Sequence, residues 1–562
     1  MPLLGRQIDK GSFVVFLLIM AFLSVFLFYP ILYVFVNSFF IGGRLTFYYF
    51  TLMFQDSLYR ESIVNSLTIG LAATALTSLI SIPLAFLMVR YDFPLKRWIQ
   101  GLLLVPLVMP PFVGAIGMVQ LFARYGAVNI LLMNLKLISR PIDWFGGGFW
   151  GIVVLEALHL YPFLYLNVAA ALSNIDPTLE EQAESLGSSG FRLFRTVTFP
   201  LMLPGYFAGA IINFIWAFTD LGTPLIFNYR NVVPVLIFSM VRDIWTNPMG
   251  YAFTVMTLLF AVMSIVLTRR YIGTKTYEMM SRGHFAPRIV RVRDWKRIPM
   301  YLSLALLIFA ALIPQISVVL ISFAEQWFFS PLPQSWTTRF YQTVATHPLT
   351  VGSIRNSLFY SVLSMAIDIT LGLVIAYLLA RRNFPGKDIL DSSVMIPLAL
   401  PGIVLAFGYV AGFSGTMLDP FIDPTILLIV SYSVRRLPYS VRAAYAGLQQ
   451  TSVSLEEASL SVGASPLRTI ISITLPLILA NVIAGGIMSF SAGMMEVSDS
   501  LILAMGDQFF PITKTIYELD LRLGDGPYVA SALGIIGTVI VAICILVANR
   551  LLGRSMGELF RV

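Results

Sequence analysis

A single cysteine in 562 residues, Cys544, excludes any disulfide within the chain and any cysteine metal cluster. Charge is scarce too. Asp, Glu, Lys and Arg make up 12% of the residues and hydrophobic types 57%, where soluble domains carry about 25% charged residues. A soluble chain of this length and apolarity could not cover its surface with polar groups, so an integral membrane protein is expected, with the lipid bilayer as its surroundings. The alternating pattern of about ten residues that marks a membrane barrel strand is missing as well. Long continuous apolar runs stand in its place and predict an all-α fold. In such a chain the net charge of +8 reports on the sidedness of loops, and no nucleic-acid partner is implied.

Twelve runs are long enough to cross a bilayer as helices. They lie near 13–38, 62–89, 99–121, 150–173, 202–225 and 251–270, then near 299–323, 354–380, 391–413, 424–446, 477–503 and 528–549. Basic residues orient them. Arg6, Lys10, Arg90, Lys96, Arg97, Arg192, Arg195, Arg381, Arg382, Lys387, Arg550, Arg554 and Arg561 all fall on the side shared with both termini, as do nine Lys or Arg from Arg269 to Arg297. That side is expected to be the cytoplasm. The first run is too long for a secretory leader, and no A-x-A site follows it. Its Tyr29-Pro30-Ile31 is also matched by Ile313-Pro314-Gln315, deep inside the chain.

That match is part of an internal repeat. Asn65, Arg90, Phe93, Pro94, Pro106 and Pro110 return 291 residues later as Asn356, Arg381, Phe384, Pro385, Pro397 and Pro401. Pro162 returns as Pro438, a shift of 276. The first half therefore holds extra residues, best placed in the loop carrying Gly146, Gly147 and Gly148, where insertion costs little closure entropy. The division is a first half over 1–270, a basic cytoplasmic linker over 271–298 and a second half over 299–562. Six spans per half is an even number, so the repeats run parallel, related by an axis along the membrane normal.

A polar segment between the fourth and fifth runs occurs in both halves: EQAESLGSSGFRLFRTVTFP from Glu181 to Pro200, and EASLSVGASPLRTIISITLP from Glu457 to Pro476. Thr178-x-x-Glu181 and Ser454-x-x-Glu457 fit capping boxes. Gly187 and Gly463 suit left-handed helix ends. A second short helix is expected from Ser189 and Ser465, ended by Pro200 and Pro476. Helix capping by itself also accounts for both glutamates.

These residues resemble the E-A-A-x-x-x-G signature, followed by I-x-L-P, of binding-protein-dependent ABC importer permeases, in a form with two fused halves. The copies are Glu181-Gln182-Ala183 with Gly187 and Pro200, and Glu457-Ala458-Ser459 with Gly463 and Pro476; Gln182 and Ser459 depart from the alanine pair. The resemblance implies that both hairpins dock on ABC ATPase subunits, two copies in all. It also implies a bacterial or archaeal inner membrane, a binding protein outside it, and transport by alternating access. The chain has no G-x(4)-G-K-[ST] phosphate loop. No cofactor is expected on it; ATP and Mg belong to the partner subunit, and the chain itself is not an enzyme. The fused length looks most like iron(III) importers, with thiamine, aminoalkylphosphonate and polyamine as alternative cargoes. A secondary transporter of the major facilitator type is the rival reading. Its G-x-x-x-D-R motif is replaced here by Arg90-Tyr91-Asp92-Phe93-Pro94.

Acids inside spans are costly and mark pathways. The 276-residue shift pairs Asp220 with Glu496, near the outer ends of the fifth runs, with Asp499 close by and matched to Thr223. These three are substrate-path candidates; polar contacts at helix ends, or pairing with Arg230 or Arg242, are the alternative. His159 corresponds to Arg435 and is expected to make a helix contact. Glu156 and Asp368 carry no assigned role. Pro110, Pro111 and Pro401 are expected to kink their spans.

Overall fold

The computed structural model describes residues 10–41, 44–273, 290–292 and 294–552. Arg6, Arg554 and Arg561 lie outside the described residues, as does most of the expected linker. The first half contains α1 (Gly11–Phe39), α2 (Ser57–Arg90), α3 (Pro111–Phe122), α4 (Phe149–Ser173), α5 (Pro177–Ser185), α6 (Phe199–Thr219), α7 (Val233–Met240) and α8 (Met249–Gly273). The second contains α9 (Asp294–Phe323), α10 (Pro348–Arg381), α11 (Lys387–Ala399), α12 (Gly402–Phe413), α13 (Thr425–Gln450), α14 (Val453–Ser461), α15 (Leu475–Met494), α16 (Ser498–Leu503), α17 (Ile512–Asp520) and α18 (Gly526–Leu552). Strand pairing among the described residues is confined to pieces of two or three residues. One of these sets Tyr91-Asp92 beside Val290-Arg291, at the end of the linker.

Among the described residues, ten helices are long and apolar enough to cross a membrane, eleven if the bent pair α11 and α12 is one span. Two differences from the twelve expected runs have clear causes. The third run of each half breaks at its prolines: α11 and α12 meet at 104° around Pro401, and in the first half the helix Lys96–Leu103 stops before Pro110, where α3 begins. The other difference is α13. It has the length to span, but Arg435, Arg436 and Arg442 lower its apolarity.

Each half is built on three packed helices, α2, α4 and α6 in the first and α10, α13 and α15 in the second. Their polarity is inverted relative to a soluble bundle. On α2, Ser62, Ser66, Ala73, Thr77 and Ser81 are buried while Val64, Leu71 and Leu79 face outward. Lipid tails are as apolar as leucine, so association rests on close packing of small residues and on hydrogen bonds between helices. Ser81 Oγ donates to Tyr161 O of α4 at 2.9 Å. Asp368 of α10, given no role by its sequence position, accepts from Ser433 of α13 and Ser489 of α15.

Pro200 and Pro476 do not end a helix, as the sequence reading expected. Residues Phe194–Thr198 and Ile470–Thr474 form single π turns that run straight into α6 and α15. Proline lacks an N–H and clashes with the carbonyl four residues back; a π turn moves the hydrogen bonding to the fifth residue and lets the helix continue. Ser24–Phe28, just before Pro30, does the same in α1.

The halves exchange their first spans. Here α1 packs on α12 of the second half and α9 on α3 of the first. Both crossings are glycine against proline. A Cβ at Gly117 would fall 2.7 Å from Pro314 O, and one at Gly408 3.1 Å from Pro30 O. Gly117 and Gly408 are repeat mates at the 291 shift, so one contact is made twice. Leucine at either glycine is expected to cost about 1–3 kcal/mol through overpacking. Thermal unfolding in detergent should show a lowered midpoint for Gly117→Leu and Gly408→Leu, and little change for Gly352→Leu, where a Cβ would meet nothing within 4 Å.

Candidate functional site

The two hairpins share one construction. Asp176 caps α5, accepting from Thr178 N at 2.9 Å and from Thr178 Oγ1 at 2.8 Å. Ser452 caps α14 through Ser454 N at 3.3 Å. These caps replace the expected boxes at Thr178–Glu181 and Ser454–Glu457. They sit two residues earlier because Asp176-Pro177 offers both an acceptor side chain and a first-turn proline, and the 276 shift carries Asp176 to Ser452. The helices end at Gly187 and Gly463, with φ of +85° and +89°. Ser188 N returns to Ala183 O at 2.9 Å, and Ala464 N to Ser459 O at 3.2 Å, the closing bonds of a Schellman end.

Glu181 and Glu457 are exposed; the residues before them are not. Glu180 and Glu456 are each 6% exposed. Glu180 Oε1 lies 2.6 Å from Arg90 Nη2 at the end of α2 and accepts from Thr198 Oγ1 at 2.7 Å. Glu456 Oε1 lies 3.0 Å from Arg381 Nε at the end of α10. Arg381 also donates to Leu448 O and Thr451 O, at 2.9 and 2.8 Å. The shift of 276 links the two glutamates and 291 the two arginines, so the repeat contained this signal. Sequence reasoning used the arginines only as markers of sidedness and passed over Glu180 for its neighbour.

Beyond these anchors, apolar side chains stand out from the hairpins. Leu186 and Val462 are 90% and 85% exposed, and Phe191 and Leu467 are exposed too. All four obey the 276 shift. Ala183 is half-buried and Ala458 exposed; Pro200 and Pro476 lie at the starts of α6 and α15.

Asp220, Glu496 and Asp499 lie at the far ends of the fifth spans, but those ends are inside the protein. Met495 is seated against Gly537, eleven residues into α18 or about 16 Å along its axis. The chain breaks there and returns as short helices. Glu496 pairs with Arg435 and Arg436 of α13, and Asp499 lies 3.2 Å from Arg435 and accepts from Ser431 Oγ at 2.8 Å. Arg230 and Arg242 are not their partners. In the first half, His159 and Leu160 stand where Arg435 and Arg436 stand in the second. His159 Nδ1 bonds to Pro106 O at 2.9 Å, the helix contact expected of it. Asp220 accepts from Thr223 N at 2.8 Å, and Thr223 Oγ1 donates to Glu156 at 3.1 Å. Glu156, given no role by sequence, thus joins Asp220 through Thr223.

A twofold-repeated helical membrane protein with paired, anchored hairpins on one side defines a transporter's membrane subunit. The chain belongs to the family of binding-protein-dependent transport system inner membrane components, which matches residues 77–271 and 368–557, one copy per half. It is a permease subunit of an ABC importer, which removes the secondary-transporter reading. The ferric transport system permease protein FbpB of Actinobacillus pleuropneumoniae is 26% identical over 98% of this chain and 80% of its own length. A putative ferric transport system permease protein FbpB 1 of Haemophilus influenzae is 27% identical over 89% and 79%. The molybdenum transport system permease protein ModB of the same organism is 25% identical over 40% of this chain and 99% of its own, so one half here corresponds to a whole shorter permease.

Removing one member of a buried ion pair leaves the other charge uncompensated, at a cost of about 3–5 kcal/mol. Glu180→Ala and Glu456→Ala are therefore expected to loosen their hairpins, seen as faster hydrogen exchange over 177–193 and 453–469. The exchanged pair Arg381→Glu with Glu456→Arg should recover part of that protection.

Proposed function

We propose that the two hairpins are the seats of two ABC ATPase subunits, which bind ATP and Mg and whose closure drives alternating access in this permease. The observation that carries the proposal is the duplicated surface: an exposed acid at Glu181 or Glu457 beside an exposed apolar pair, on a base locked by a buried arginine. An apolar knob with an adjacent charge suits a cleft on a soluble partner, and two matched copies suit two identical partners. The basic loops support placing the hairpins, the linker and both termini in the cytoplasm of a bacterial or archaeal cell. The family's description supports a binding protein on the opposite side.

For the cargo we propose iron(III), received from that binding protein. Support comes from the two ferric relatives matched over most of the chain, and from the Asp220–Thr223–Glu156 cluster, which supplies carboxylates to a passing cation. Glu496 and Asp499 serve instead to fix α13 to the break after α15, since both are paired with guanidinium groups.

The test is reconstitution in liposomes with the ATPase and the binding protein. Iron uptake that requires ATP is expected, and uptake unaffected by omitting ATP would overturn the reading. Glu181→Lys with Glu457→Lys should abolish co-purification of the ATPase and lower uptake at least tenfold, a loss of about 1.4 kcal/mol or more in coupling. An assembled, active double variant would remove the hairpins' docking role.

A further inference from the structure

A residue and its repeat mate can touch only close to the axis that exchanges the two halves. The register beyond the acids is fixed by hydrogen bonds. Asn65 Nδ2 donates to Asn231 O at 3.0 Å and Asn356 Nδ2 to Phe510 O at 3.2 Å. Val233 N donates to Ser66 Oγ and Ile512 N to Ser357 Oγ, both at 2.8 Å. Asn65 and Ser66 are the mates of Asn356 and Ser357, so Asn231 corresponds to Phe510 and Val233 to Ile512. The shift here is 279, and it also carries Pro248 to Pro527. By the same shift, Phe238 of α7 is the mate of Tyr517 of α17. Their rings lie 6.4 Å apart and nearly perpendicular, at 87°. This aromatic pair therefore marks the axis, on the side opposite the hairpins: Ser66 and Ser357 lie near the starts of α2 and α10, and Arg90 and Arg381 at their other ends. Deeper along the axis, Gly222 of the first half faces Val497 of the second, where a Cβ on Gly222 would come within 3.0 Å of Val497 Cγ1.

A buried ammonium sits on this contact. Lys514 is 6% exposed, and its Nζ lies 5.6 Å from the Phe238 ring, 5.7 Å from Tyr517 and 5.5 Å from Phe510. Glu518, one turn on, pairs with it at 3.1 Å. Phe238 belongs to the first half and the rest to the second, so one charge bridges the two. At the mate position stands Val235, so the axis carries a single lysine. Burying a lysine is costly unless it is paired, and cation–π contacts on three rings offset that cost only while α7 and α17 stay together.

We infer that α7 and α17 form the gate of the pathway on the side opposite the hairpins, closed by Phe238 against Tyr517 and latched by Lys514. For cargo to pass along the axis, α7 and α17 must part, which separates the ammonium from Phe238. The inference rests on the importer reading for what passes through the gate, but its first test needs neither ATPase nor cargo.

That test uses the full chain with Cys544→Ser, reconstituted in liposomes, and Val497→Cys as a reporter beneath the gate. A membrane-impermeant maleimide is added on the side opposite the hairpins. With Lys514 present labelling should be slow. Lys514→Met should speed it about tenfold, the scale of a lost cation–π cage, and Lys514→Arg should keep it slow. Equal rates for Lys514 and Lys514→Met would overturn the latch. The second test keeps Lys514 and joins Phe238→Cys to Tyr517→Cys with a reductant-cleavable bis-thiosulfonate. In the assembled transporter the cross-link should stop ATP-dependent uptake, and reductant should restore it. Full uptake through the cross-linked protein would overturn the gate, whereas failure of uptake in the uncross-linked wild type would count against the importer reading alone.

Discussion

The buried arginine–glutamate bridges, Arg90–Glu180 and Arg381–Glu456, are the contacts through which anything done to the hairpins must reach the membrane. Each hairpin is a short capped helix with little core of its own, and its outer face is apolar and exposed. Left on a flexible loop, such an element would move without moving anything else. The bridge fixes it to the end of a helix of 34 residues, a rod of about 50 Å. In the second half Arg381 also holds the carbonyls that close α13, so hairpin, second span and fourth span meet at one guanidinium. The planar fork of arginine suits this duty better than a lysine ammonium, because it bonds several acceptors in fixed directions.

A force delivered there is useful only if the two halves answer each other. The exchanged first spans supply that coupling. α1 and α9 each run against the broken third span of the opposite half, and the glycine–proline crossings leave no gap for slippage. Packing of this kind holds without a hydrophobic driving force because it depends on contact distance alone. It also constrains the motion, since a half cannot swing away without carrying the other half's first span. Rocking about the shared axis satisfies the constraint, and simple separation does not.

Much of this was legible in the sequence, and the failures have physical causes. The parallel halves, the hairpins and their glycine ends were visible because repetition marks positions that local pattern leaves ambiguous. Proline was misread at Pro200 and Pro476: one π turn makes it compatible with a continuing helix, and nothing local distinguishes that outcome from a stop. The caps were misplaced because several hydroxyl and carboxylate side chains stand within three residues of each helix start, and the winner depends on backbone conformation. Glu180 and Glu456 were hidden by the exposed acids beside them; burial separates neighbours that composition treats alike. The partners of Glu496 were out of reach, because Arg435 and Arg436 lie some sixty residues away and meet it only when the fifth span breaks inside the bilayer.

The two halves also differ, and their differences are not scattered. On the hairpin side the mates have similar chemistry: Arg90 and Arg381, Glu180 and Glu456, Gly187 and Gly463, Leu186 and Val462. Toward the axis they diverge: His159 and Arg435, Leu160 and Arg436, Thr223 and Asp499, Val235 and Lys514. Distance from the axis accounts for the contrast. Sites far from it can be duplicated freely, and two identical partners would demand that they be. A charge close to the axis faces its own copy, and two like charges a few ångströms apart in a medium of low dielectric repel by several kcal/mol. A homodimer has no escape from that repulsion except to leave the axis uncharged. Fusing the halves into one chain lifts the restriction, so that a lone ammonium can stand on the axis between rings from both halves.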